Sequence, residues 1–144
     1  MHKKTIILVF SILLLSCNVQ NSLPPNDALV FMDGFFEKVK QNDFDLVEPY
    51  YSERFFERTS RERWEELYVN IHLALGQLIS VELTSLRTNV VVGTYGSGRY
   101  FTLVYTNKYE NGYARETISL FLPRGSNSIE IIGHQYESDV FLGL

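Results

Sequence analysis

Two side chains could do acid–base chemistry if the fold brings them together: the carboxylate of Glu116 and the imidazole of His134. In one pocket they would form a pair in which the carboxylate orients the imidazole and favours its cationic form. His72 and His134 lie on unlike predicted elements with no spaced carboxylate motif, so a metal site is not indicated. Gly93-Thr94-Tyr95-Gly96-Ser97-Gly98 has its glycines in the wrong order for a dinucleotide loop and is predicted to join strands instead of opening a helix. No cofactor is implied. Cys17 is the only cysteine, so the chain cannot close an internal disulfide.

The positions of Glu116 and His134 depend on two predicted strands. Asn111-Gly112 is a strong two-residue type I′ turn signal. With those as the loop residues, Glu110 pairs with Tyr113. One face then holds Phe101 opposite Leu122, Leu103 opposite Leu120, Tyr105 opposite Ile118 and Asn107 opposite Glu116. The other face holds Thr102/Phe121, Val104/Ser119, Thr106/Thr117 and Lys108/Arg115. The first face is the core; Glu116 lies on it at the strand end, which predicts a solvated rim carboxylate. The last strand, 128–137, has two readings, because a one-residue slip turns every side chain over. Facing Ile129 and Ile131 inward leaves Glu130 and His134 outside, and is favoured because the opposite choice buries Glu130. The alternative sets His134 opposite Glu116.

Upstream, the periodicity is helical. Leu29, Met32, Phe36 and Val39, widened by Phe35, predict a first helix starting at Asn26 or Asp27. Asp43 can cap a short second helix carrying Leu46 and Val47, ended by Pro49. Thr59-Ser60-Arg61-Glu62 matches a capping box, and Trp64, Leu67, Ile71 and Leu75 followed by Gly76 predict a helix over 60–75. Trp64 reads as a core anchor. From Leu78 the period becomes two: Val81, Leu83 and Leu86 suggest a long strand that Val90–Val92 continue or follow. Helices first and an antiparallel meander after make an α+β domain over 26–144.

The first residues carry a different signal. Lys3 and Lys4 precede an apolar run from Ile6 to Leu15, the size of a signal-peptide h-region and about half the length needed to cross a bilayer. Leu14-Leu15-Ser16-Cys17 resembles the lipobox of bacterial lipoproteins. The resemblance implies that residues 1–17 hold a signal peptide cut before Cys17, whose thiol takes a diacylglyceryl group and whose new amino terminus is acylated with a fatty acid such as palmitate. Residues 18–25 are then a tether of at most about 29 Å. Asn18 in place of Asp points to the periplasmic side of the outer membrane in a two-membrane bacterium, and otherwise to the outer face of the cell membrane. Losing Lys3 and Lys4 takes the net charge from −4 to −6; with no basic cluster free of interleaved glutamates, nucleic acid is not an expected partner.

The layout of 26–144 is similar to the nuclear-transport-factor-like, or cystatin-like cone, superfamily, which includes small bacterial lipoproteins of unknown function. The matching pieces are Ala28–Val39, "QNDFDLVEPYYS", the paired "RYFTLVYTNKYENG" and "ETISLFL", and "IEIIGHQYES"; Ile129 stands where that superfamily usually has an aromatic. The resemblance implies N-terminal helices on a curved antiparallel sheet whose mouth can hold a ligand. In its enzymes an inward acid or His acts as general base with a Tyr donor, which makes Glu116, His134, Tyr105 and Tyr109 the candidates. It also implies a homodimer surface on the outer sheet face, where Tyr100, Phe121 and Tyr136 are expected. The expected function is a membrane-anchored binding lipoprotein without catalysis. The alternatives are a small-molecule isomerase or lyase using Glu116 and His134, and a structural envelope homodimer.

Overall fold

Helix α1, Asn26–Val39, forms where Ala28, Met32, Phe35, Phe36 and Val39 recur on one side, and all five are buried. The computed structural model describes residues 26–93 and 96–143. The signal, Cys17 and tether expected at 1–25 lie outside the described residues.

Asp43 caps α2 (Phe44–Val47), its carboxylate accepting the Asp45 N–H at 3.0 Å. The chain continues through a 3-10 turn, Glu48–Tyr50, that holds Pro49 in its first turn. An unforeseen helix, α3 (Glu53–Phe56), follows, capped by the Ser52 hydroxyl. It displaces the expected capping box: the Thr59 N–H still bonds back to Phe55, so Ser60 becomes the N-cap of α4 (Arg61–Leu75) and accepts from Arg63 N–H at 3.2 Å. Gly76 closes α4 at φ 76°, a backbone region open to glycine, and a Cβ there would meet Glu110 within 2.9 Å.

The buried face of α4 differs from the apolar stripe. Trp64, Tyr68, His72 and Leu75 are buried, whereas Leu67 and Ile71 are only half-buried. Three ring side chains with polar atoms thus point into the domain, Tyr68 and His72 besides the expected Trp64, and the interior they enter is itself partly polar.

Five antiparallel strands form one unclosed sheet: β1 (Leu78–Ser80), β2 (Leu83–Val91), β3 (Gly98–Tyr109), β4 (Gly112–Pro123) and β5 (Glu130–Glu137). Strands β1 and β2 both pair with one side of β3, as a single run interrupted at Val81–Glu82, while β4 and β5 follow on the other side. The domain is α+β, its four helices preceding and packing on the sheet.

The β3–β4 hairpin keeps the expected faces with a register displaced by two residues. Phe101 faces Leu120 and Tyr105 faces Glu116, and the loop is Glu110–Asn111. A two-residue slip preserves which face is inward, so Phe101, Leu103, Tyr105, Asn107 and Tyr109 alternate into the core as predicted. Neither loop residue takes the positive φ of a type I′ turn. Tertiary bonds select this loop: Asn111 N–H donates to Leu75 O at 2.9 Å, Asn111 Nδ2 to Ala74 O at 2.9 Å, and Gln77 N–H to Glu110 Oε2 at 2.9 Å. The free carbonyls at the end of α4 hold the turn, and that outweighs the local Asn-Gly preference.

Strand β5 follows neither predicted parity throughout. Leu120 pairs with Ile131 but Ser119 pairs with Gly133, leaving Ile132 as an extra residue in a bulge. Ile131 is therefore buried, as favoured, while His134 also turns inward, against the favoured register. Glu130 remains half-exposed, so the burial penalty used to reject an inward His134 never arises. Beyond β5, Tyr51 makes a parallel bridge to Ile131, and Ser52 N–H donates to Ile131 O at 2.9 Å.

Candidate functional site

Three strands and one loop deliver polar side chains to one interior point. Inward alternation places Asn107 and Tyr109 from β3 and Glu116 from β4 on the same face, and the bulge brings His134 and Tyr136 from β5 to it. Tyr136 thus lies inside the domain and not on the outer face expected for it. Tyr51 arrives from the segment that bridges β5.

Glu116 is fully buried, correcting its expected place as a solvated rim carboxylate. The hairpin loop packs against the end of α4, so this end of the strands is covered instead of open to water. Its Oε1 accepts from Asn107 Nδ2 at 2.8 Å and from Tyr109 Oη at 2.5 Å. Its Oε2 lies 3.0 Å from His134 Nε2, and His134 Nδ1 lies 2.8 Å from Tyr51 Oη. An ionised carboxylate only accepts, so Nε2 is the donor to Glu116, and Nδ1 can accept a hydrogen bond from the Tyr51 hydroxyl when it carries no proton of its own. Burial pushes the Glu116 carboxyl up, but the bonds from His134, Tyr109 and Asn107 outweigh it and hold the group below the usual carboxylate range. Burial pushes the Tyr51 and Tyr109 hydroxyls well above the ordinary tyrosine value, so both remain proton donors.

Around this chain of bonds the rings are packed. His134 stacks on Tyr136 with centroids 4.4 Å apart and lies 5.8 Å from both Phe35 and Trp64. The Glu116 and His134 side chains have no exposed surface. Tyr105 sits opposite Glu116 in the ladder and packs edge-on against Phe36 at 4.8 Å; among the described residues it makes no hydrogen bond to Glu116. Of the two candidate tyrosines, Tyr109 is joined to the carboxylate.

A second polar group adjoins the first. His72 packs on Tyr68 at 4.2 Å and lies 5.8 Å from Tyr109 and 6.2 Å from Tyr136. Both ring nitrogens of His72, the hydroxyls of Tyr68 and Tyr136, and Trp64 Nε1 are buried with no protein hydrogen-bond partner. Burial lowers the His72 pKa to about 4. A pocket of about 130 Å³ beside this group is lined by Asn42, Tyr68, Val69, His72 and Leu73.

Sequence reasoning missed Tyr51, Tyr68 and His72 as interior polar residues. One signal for the β5 bulge was present: Gly133, within a strand that otherwise reads as continuous. Tyr51 and Tyr68 carry no such mark. Among the described residues no group of three or more His, Cys, Asp or Glu could hold a metal ion.

Compared with known proteins, the chain matches no family model, no curated protein and no solved structure.

Proposed function

We propose that this is a membrane-anchored lipoprotein of the cell envelope whose small domain binds a ligand or protein partner without catalysing a reaction. The observation that carries the non-catalytic part is the closure of the Glu116–His134 pair. Both side chains are fully buried, and their polar atoms are engaged by Asn107, Tyr109, Tyr51 and each other. A general acid or base must reach a substrate atom within hydrogen-bond distance. Here the chain's own side chains occupy those directions, as in a structural polar core. The anchor is supported by Leu14-Leu15-Ser16-Cys17 behind its basic and apolar segments.

Two measurements test this reading. Diethyl pyrocarbonate should leave His134 unmodified in the folded protein; modification at the rate of a free imidazole would defeat the sealed core. Cys17→Ser should abolish labelled-palmitate incorporation and release the protein from membranes or leave its signal uncut, and unchanged labelling and partitioning would refute lipidation.

An isomerase or lyase reading has one specific observation in its favour. His72 and Tyr68, with unpartnered polar atoms, line the surface pocket at Asn42, and His72 lies 6.2 Å from Tyr136, which stacks on His134. It requires that pocket to open as far as His134, and the same reagent would then reach the imidazole. A homodimer through the outer sheet face finds less support. Around Val104 that face carries Ser85, Arg87, Thr102, Arg115 and Thr117, and its aromatics are split between the Tyr100–Phe121 pair and Tyr113 near the hairpin.

A further inference from the structure

The end of the sheet opposite the hairpin carries an exposed apolar and cationic patch. Val90, Val91 and Val92 are 69%, 43% and 77% exposed. With Arg99, Leu122 and Arg124 they border a pocket of about 390 Å³ whose lining contains no carboxylate. Both arginines are exposed, and among the described residues neither makes a salt bridge.

The direction of α1 relates this patch to the anchor. The C-terminal end of the helix is tied near the hairpin, because Gln77 Nε2 donates to Lys40 O at 2.9 Å while Gln77 O accepts the Glu110 N–H at 3.0 Å. Phe36 packs on Tyr105, further from the turn. From Phe36 back to Asn26 the helix continues for about 15 Å on the side away from Lys40 and the hairpin. There the chain meets the tether, whose residues 18–25 reach at most about 29 Å.

The geometry points to a membrane-docking surface: the Val90–Val92 end of the sheet, with Arg99 and Arg124, rests on the anionic phospholipid headgroups of the bilayer that holds Cys17. This rests on the lipoprotein reading above. The tether joins the domain at Asn26, away from the hairpin, and its reach lets this end of the domain meet the bilayer. The valines supply apolar side chains for the boundary between headgroups and acyl chains, and the arginines supply partners for phosphate. The domain's net charge is negative, so an anionic surface repels most of it and draws in this end, which fixes orientation as well as distance. The eight-residue tether keeps the contact local, and the lipid makes it permanent.

The test uses full-length, lipidated protein reconstituted into vesicles of phosphatidylcholine with phosphatidylglycerol. A thiol is introduced by Val92→Cys, or by Tyr113→Cys at the hairpin end, where the side chain is 60% exposed. A membrane-impermeant maleimide should label Val92→Cys about tenfold more slowly in vesicles than in detergent, and Tyr113→Cys equally in both. Arg99→Glu with Arg124→Glu in the Val92→Cys background, or vesicles of phosphatidylcholine alone, should restore most of the rate. Equal labelling of Val92→Cys in vesicles and detergent overturns the docking surface. So does slowing of both thiols alike, and so does protection seen only in native membranes, which would mean a protein partner. Protection indifferent to both arginines overturns the headgroup contact. Mass measurement of lipid on Cys17 separates the two readings: unlipidated protein defeats the anchor and the docking together, while lipidated protein with a fully reactive Val92→Cys defeats the docking alone.

Discussion

Glu116 Oε2 and His134 Nε2 meet at 3.0 Å although the two residues do not face each other in the ladder. Glu116 pairs with Tyr136, and His134 with Ile118. The contact is diagonal across β4 and β5, and it exists because Ile132 is extruded two positions before His134. A single backbone irregularity thus sets whether an imidazole joins a buried carboxylate or faces water.

The buried pair makes a graded prediction for stability. Glu116→Ala leaves His134, Tyr109 and Asn107 without their shared acceptor and should cost about 3–5 kcal/mol. Glu116→Gln keeps the shape and one acceptor oxygen and should cost about 2 kcal/mol. Urea denaturation measures both, and a loss under about 0.5 kcal/mol for Glu116→Ala would show that the network does not hold the fold.

Acid should weaken the protein in two windows. His72 is held neutral by burial, its pKa lowered from 6.5 to about 4, so the unfolded chain binds more protons between those values. Stability therefore rises with pH across that interval, and acidification from pH 6.5 to 4 should remove up to about 3 kcal/mol. Glu116 acts at lower pH. Its carboxyl is held below the ordinary carboxylate value of 4.5, so its contribution is complete above that value and is lost as pH falls through the folded one. His72→Phe should flatten the first window and leave the second; a first window unchanged in that variant would assign it to another group.

Alkali has its own signature. Tyr51, Tyr68, Tyr105, Tyr109 and Tyr136 are all raised by burial, with the Glu116 charge adding to each. Their contribution to stability is complete below the unfolded value of about 10 and declines as pH rises above it. Of the nine tyrosines, those five should stay protonated until the protein unfolds. Absorbance at 295 nm should rise in two steps, the second coinciding with loss of structure. A single step near pH 10 in folded protein would contradict the buried cluster.

The hairpin register makes a further prediction through Gly76. Gly76→Ala places a Cβ at φ 76° and within 2.9 Å of Glu110, and should cost about 1–3 kcal/mol. Gly125→Ala, at φ 77° with open space around it, should cost less. Equal losses in the two variants, read from urea midpoints, would mean that packing of the turn on α4 adds nothing.

Much of this architecture was legible because it depends on periods that survive small errors. The 3.6-residue pattern of α1 and the inward row Phe101, Leu103, Tyr105 on β3 hold in the structure, the latter although the register moved by two. Side-chain parity is unchanged by an even shift, so pattern alone fixes the face without fixing the partner. The candidate site is legible in part for the same reason: Glu116 and Asn107 fall on the core face, and the less favoured parity of β5 turns His134 inward, though opposite Glu116 and not, as in the structure, opposite Ile118.

What sequence alone determined is therefore local: helices before strands and the inward face of the β3–β4 hairpin. The tertiary structure decided the rest. It chose the Glu110–Asn111 loop over the Asn-Gly turn, because bonds to the last carbonyls of α4 outweigh a preference worth less than they are. It placed Tyr68, His72 and Tyr136 inside, because their rings pack on one another and on His134 although their polar atoms find no protein partner. It also turned both Ile131 and His134 inward, since a bulge changes parity within one strand and no uniform alternation can describe it.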